Sequence, residues 1–149
     1  MALGSTIEAI VTRWTAAGLD STVTGGLHLH EAPKETVQPY CVLQEPAADV
    51  EGRAARKTGS GRYATVYENT FIRFVLHVKT GATAAKAMAA AIKAAFSNAT
   101  LAVSGATLVD VTYMAERMVP NHTEQWPNSV LWAIEYEIKT AEAENLAPS

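Results

Sequence analysis

Two stretches of the chain, Ile72-Arg73-Phe74-Val75-Leu76-His77-Val78-Lys79 and Val130-Leu131-Trp132-Ala133-Ile134-Glu135-Tyr136-Glu137-Ile138-Lys139, alternate two chemically different sets of residues. Successive side chains on a strand point to opposite faces, so a period of two marks a strand and does not fit a helix. In the first stretch Ile72, Phe74, Leu76 and Val78 share a face, opposite Arg73, Val75, His77 and Lys79. In the second, Val130, Trp132, Ile134, Tyr136 and Ile138 lie opposite Leu131, Ala133, Glu135, Glu137 and Lys139. Such alternation belongs to antiparallel sheets with one packed face, whereas strands buried on both faces read as continuous apolar runs. The chain must therefore supply something to cover one face.

Two segments can do so. Ser5-Thr6-Ile7-Glu8 has the S-x-x-E form of a capping box, and Ile7, Ile10, Val11 and Trp14 then fall on one helical face. A helix is predicted from about Thr6 to Ala17, stopped by Gly18. Ala85, Met88, Ile92, Ala95 and Phe96 share a face of an alanine-rich segment that Thr83 is placed to cap, which predicts a second helix ending at Phe96. Shorter strands are predicted at Leu27 to His30, Pro39 to Glu45 (ended by Pro46) and Thr107 to Met118, with loops over Ala47 to Gly61 and Pro120 to Asn128. The expected fold is α+β: an antiparallel or mixed sheet with two α-helices packed on one face and a long β-hairpin loop. At 149 residues and 48% hydrophobic, the chain suits a single domain over 1–140, with 141–149 as a flexible tail.

The net charge of -3 argues against a dedicated nucleic-acid binder, which needs a surplus of Lys and Arg. Cys41 is the single cysteine and lies in the apolar run Tyr40 to Leu43, where a buried small hydrophobe is the natural reading. No run approaches the roughly 18 consecutive apolar residues of a membrane span, and the N-terminus lacks the pattern of a signal peptide. A soluble protein made in a cytoplasm is the expectation.

The segment Gly52-Arg-Ala-Ala-Arg-Lys-Thr-Gly-Ser-Gly-Arg62 concentrates Arg53, Arg56, Lys57 and Arg62 among three glycines. It does not read as a phosphate-binding loop: Lys57-Thr58 precedes Gly59, and a strand follows where that mechanism needs a helix. No aromatic residue interleaves the cations to stack on bases. A solvated hairpin tip or a protein-contacting arm remain. His28 and His30 share a side of an extended segment and, with Glu31 and His122, outline a conceivable metal site, but no HExxH or C-x-x-C pattern accompanies them. Cys41 is too embedded in apolar sequence for a nucleophile, and Glu135 and Glu137 are what any amphipathic strand shows, so no catalytic residue, metal site or cofactor is assigned. Arg73, His77 and Lys79 make one strand face basic while Glu135 and Glu137 make another acidic. Either these pair across strands within one subunit or they pair subunits head to tail. Val75, Leu131 and the surface of Ala89, Ala90 and Ala94 would also suit a close subunit contact.

The series of elements resembles the tail terminator and tail-completion proteins of long-tailed bacteriophages. The resemblance runs through the helix around Ile7-Glu8-Ala9-Ile10, the strand Pro39-Tyr40-Cys41-Val42-Leu43 and the long strand Phe71 to Val78. It continues through Ile92-Lys93-Ala94-Ala95-Phe96 and two closing strands. It implies a structural virion protein of the tail or neck that forms a homo-oligomeric ring, typically a hexamer. Such a ring caps the tail tube protein and joins it to the head-tail connector or stopper protein, with DNA passing through its lumen without sequence-specific binding. On this reading Arg53, Arg56, Lys57, Arg62, Arg73, His77, Lys79, Glu135 and Glu137 are interface residues, and the protein is not an enzyme. The alternatives are another connector or neck protein, a small α+β-barrel enzyme or metal-binding protein using His28 and His30, and a small adaptor or nucleic-acid module.

Overall fold

The computed structural model describes residues 3–33, 39–58, 61–97, 101, 107–120 and 128–145, of which 3–5, 46–58, 61–68, 107–109 and 142–145 are described by their backbone alone. The elements are α1 (Leu3–Ala16), a 3-10 turn (Leu19–Ser21), β1 (Leu27–Leu29), β2 (Tyr40–Thr58), β3 (Gly61–Val78), α2 (Ala82–Phe96), β4 (Thr107–Pro120) and β5 (Val130–Asn145). They build one five-stranded mixed sheet in the order β1-β2-β3-β5-β4, in which only β1 and β2 run parallel. With two helices on that sheet, the α+β expectation holds.

Register explains how the alternating stretches work. Tyr40, His77 and Leu131 form one row across β2, β3 and β5; Cys41, Leu76 and Trp132 form the next; Leu43, Phe74 and Ile134 follow two rows on. The rows of Cys41 and Leu43 face the helices. Ile10 and Trp14 of α1 and Ala85, Ala89, Ile92 and Phe96 of α2 join Cys41, Leu43, Ile72, Phe74, Leu76, Ile134, Tyr136 and Ile138 in one core. Phe74 is its hub: its ring centroid lies 6.2 Å from Trp14, 4.8 Å from Phe96 and 6.2 Å from Tyr136. Cys41 is fully buried and free, and burial pushes its thiol pKa far up, as the apolar run around it implied.

Polar ties sit at the edges of this core. Arg13 Nε in the last turn of α1 donates to the Ala95 carbonyl at 2.9 Å, satisfying one of the acceptors that the end of α2 leaves unpaired. Ser97 Oγ and Tyr136 OH lie 2.9 Å apart, and Trp14 Nε1 donates to Asp20 Oδ1 at 2.7 Å. Glu116 on β4 collects three donors: Lys93 Nζ of α2 at 2.9 Å and Tyr113 OH at 3.1 Å on Oε1, and Trp132 Nε1 of β5 at 2.6 Å on Oε2. One carboxylate thus ties helix, edge strand and neighbouring strand together.

The structure corrects several boundaries. α1 begins at Leu3, so Ser5 stands inside the first turn, and α2 follows Gly81 at φ 116°, so Thr83 is likewise internal. Gly18 does end α1, with φ 67° in the left-handed region that glycine adopts freely. Pro46 does not stop β2. A register shift between Gln44 and Ala47 takes up Glu45 and Pro46, a bulge being one of the few places in a sheet where a residue without an N–H fits. The segment 47–58, expected as a loop, is strand paired with β3 as far as Thr58 opposite Gly61. A ladder needs only backbone groups, and the strand formers Tyr63, Thr65, Val66 and Tyr67 on β3 template a partner that has no apolar periodicity of its own. β3 also carries β5 on through Asn145, five residues into the segment expected to fray.

Two stability predictions follow from these contacts. Phe74→Ala should cost about 3–5 kcal/mol in urea unfolding, the range for emptying an aromatic site in a packed core. Partial burial raises the Glu116 carboxyl, but hydrogen bonds from Lys93, Trp132 and Tyr113 outweigh it and hold the group below the usual carboxylate range. A depressed native pKa contributes stability that is present above the unfolded value, about 4.3 for glutamate, and lost as pH falls through the native one. The stability gap between the wild type and Glu116→Gln should therefore be widest above about pH 5 and close on acidification, as chemical unfolding across pH would read.

Candidate assembly interface

The sheet face turned away from the helices carries most of the charged residues singled out in the sequence. Gln44, Arg73 and Glu135 stand in one row. Arg73 Nε and Nη2 both lie 3.1 Å from Glu135 Oε1, so the two pair with each other across strands. Of the two arrangements open from sequence, this pair takes the one within a subunit. Next to it, Val42, Val75 and Ala133 form a row of small apolar residues, each less than one-tenth exposed although the helices pack on the other face. Taller neighbours shield them: the Arg73–Glu135 pair on one side, Tyr40, His77 and Leu131 on the other.

His77 stacks on Tyr40 with ring centroids 4.4 Å apart, and His28 meets Tyr40 edge-on at 5.9 Å. Burial lowers the His77 pKa, favouring the neutral ring. His28 Nε2 donates to the Gly25 carbonyl at 2.9 Å. His30, at φ 67° just beyond β1, is exposed and lies 3.7 Å from Glu45. The two histidines are thus engaged with different partners; among the described residues no group of three or more His, Cys, Asp or Glu is placed to hold a metal ion. His122 lies outside the described residues. Lys79 follows β3 in a turn and has a polar partner, and Glu137 stands opposite Phe71 and Thr112. Ala90 and Ala94 are exposed on α2, but Ala89 is buried in the core, which removes it from the surface proposed for it.

Arg53, Arg56, Lys57 and Arg62 occupy the far end of the β2–β3 hairpin, where Arg53 pairs with Val66, Arg56 with Tyr63 and Lys57 with Arg62. β4 stops opposite Ala141, and β1 covers only Cys41–Leu43. Beyond those points the sheet narrows to an arm of β2, β3 and β5. Thr107 of β4 stands in the row of Ala141, Tyr67 and Glu51, so the arm runs from Arg53 to Thr58, about 17 Å at the usual strand rise.

The feature that sequence reasoning missed is the opposite edge. Among the described residues β4 has β5 on one side and no strand on the other, and it exposes Tyr113, Met114, Met118 and Val119, each between 42% and 49%. Natural edges are commonly blunted by charge, proline or shortness. β1 follows that rule at three residues; β4, though bulged and ending at Pro120, runs for fourteen and exposes apolar side chains. The one sequence signal was the clustering of Met114, Met118 and Val119 around Glu116 and Arg117, off the alternation of Val109, Val111 and Tyr113. The register shift between Tyr113 and Ala115, which takes up Met114, accounts for that break.

The open apolar edge and the projecting arm are the two features of the described surface that a partner could use. A chain of the solved structure "Virion of native gene transfer agent (GTA) particle" superposes with a TM-score of 0.67 over 95% of this chain and 98% of that one, at 20% sequence identity, so the fold is shared. No curated protein sequence matches. Family comparison matches residues 8–133, most of the chain, to the tail completion protein gp17 family. The chain belongs to that family of tail completion proteins and is a structural protein of a phage tail.

Proposed function

We propose that the protein is a tail terminator: copies join into a ring that caps the tail tube and presents a new surface for the head connector. The observation that carries this reading is the β4 edge. Among the described residues its outer main-chain groups have no strand partner, and its exposed Tyr113, Met114, Met118 and Val119 add apolar contact area, so a neighbour can extend the sheet and bury side chains at once. A contact between two different surfaces closes into a ring when the rotation between neighbours divides a full turn. Membership of a tail completion family, and likeness of fold to a chain of a virion particle, support placing that ring in the tail.

The arm has a separate role in this scheme. Its far end carries Arg53, Arg56, Lys57 and Arg62, a local positive charge on a chain of net charge -3. It seats against an acidic surface of the tube or a neighbour. DNA moving through the ring makes only fleeting, sequence-independent contact with it. Arg73 and Glu135 act through each other, holding the face between arm and body, while His77, Lys79 and Glu137 flank it.

Negative-stain electron microscopy of the purified chain, alone and with tail-tube protein, should show rings with a central hole. Strictly monomeric particles in both samples would sink the reading. Met118→Lys with Val119→Lys should abolish the rings and leave the far-ultraviolet spectrum unchanged, because both side chains are exposed in the subunit. Replacing Arg53, Arg56, Lys57 and Arg62 by Ser should leave rings intact and weaken head-to-tail joining in reconstituted particles; undiminished joining would remove the arm from the mechanism.

A further inference from the structure

The second open edge has a different chemistry. Past Leu43, where β1 ends, β2 has no strand on its outer side among the described residues, and this edge runs to Thr58. Between Pro46 and Thr58 its charges are ordered: Asp49 and Glu51 precede Gly52, and Arg53, Arg56 and Lys57 follow it. Glu45, nearer the body, is engaged by His30.

The bulge at Gly52 gives that order a geometric meaning. Asp49 pairs with Asn69, Glu51 with Tyr67 and Arg56 with Tyr63, all odd-numbered positions of β3 and therefore one face of the sheet. Were Gly52 an ordinary ladder residue, strict alternation along β2 would put Arg56 on the face opposite to Asp49 and Glu51. The bulge instead brings acid and base onto one face, on opposite sides of a centre near Gly52.

We propose that two copies of the chain pair along this edge, antiparallel and related by a two-fold axis near Gly52 and Arg53. With residue 52 of one copy opposite residue 53 of the other, Arg56 falls opposite Asp49, and the two-fold repeats that pair. Glu51 then stands diagonal to Arg56 on the same face, within the reach over which cross-strand charges interact. Parallel in-register pairing would instead align Asp49 with Asp49 and Arg56 with Arg56. Charges that served only to keep the edge bare would do so best with a single sign. This order repels the parallel alignment and favours the antiparallel one. Glu142 and Glu144 of β5 stand in the rows of Val66 and Ala64, with β3 between them and the edge, so they do not enter the pairing.

A two-fold contact uses the same edge twice and stops at two copies. It covers main-chain groups that would otherwise invite open-ended strand addition. The pairing does not depend on the ring reading, since it uses β2 and leaves β4 free. In the tail, the arm must leave this partner to meet another.

Sedimentation equilibrium of the full chain carrying Met118→Lys and Val119→Lys, which silences the β4 edge, tests the pairing. A monomer–dimer equilibrium that weakens as salt rises from about 50 to 500 mM is expected, since exposed charges are screened over that range. Asp49→Arg or Arg56→Asp alone should weaken the dimer about tenfold, since each places like charges opposite at two symmetric sites. The double exchange Asp49→Arg with Arg56→Asp, which keeps the net charge, should restore it, and so should mixing the two single variants. A dimer indifferent to the single changes, a double exchange as weak as the singles, or a chain that stays monomeric throughout would each overturn the proposal. None of these outcomes bears on ring formation, which is read from the chain with its β4 edge intact.

Discussion

The pairing of β3 with β5 is the constraint from which the rest of the structure follows. These strands align without a register shift from Tyr63 opposite Asn145 to Val78 opposite Val130. Because the period is two, a slip of one residue would send Ile134, Tyr136 and Ile138 to the outer face and bring Glu135 and Glu137 against the helices. Burial of the apolar rows under α1 and α2 thus fixes the register, and the register in turn sets Glu135 beside Arg73. The ion pair on the outer face is a consequence of the packing on the inner one.

The same constraint sorts the surface into parts with separate tasks. In the body, the helix-facing rows hold the subunit together and the outer rows close over Val42, Val75 and Ala133 with an ion pair and an aromatic stack. At the margins are two edges of different character: both are bulged, but β4 exposes Tyr113, Met114, Met118 and Val119, whereas β2 carries an ordered run of charges. The geometry distributes contacts along a sheet, which suits a protein of a tail completion family.

The fold class and core faces were legible in the sequence because they rest on periodicity, which survives in a single chain. Ile72 to Val78 and Val130 to Ile138 kept the faces that their alternation predicted. Strand status at 47–58 was not legible, since that stretch has no apolar period and its conformation is imposed by β3 through backbone bonds. The β4 edge was invisible for a related reason: a strand's position in a sheet is a property of topology, and Met118 or Val119 would read the same in the middle of a sheet as at its margin. The fate of the charged residues fell between these cases. Arg73 and Glu135 were recognisable as complementary, but only the order β2-β3-β5 decided that they meet within one chain.

The narrowing of the sheet into an arm has a mechanical side. β2, β3 and β5 run lengthwise through the arm and continue into the helix-covered body, so the arm has no hinge loop of its own. A pull on its tip is carried parallel to the strands and loads the cross-strand bonds in shear, where many must yield together. A sideways peel at the free β2 edge would meet them one at a time. The subunit is therefore stiff along the arm and compliant across it, a joint that transmits tension while allowing its neighbours to tilt.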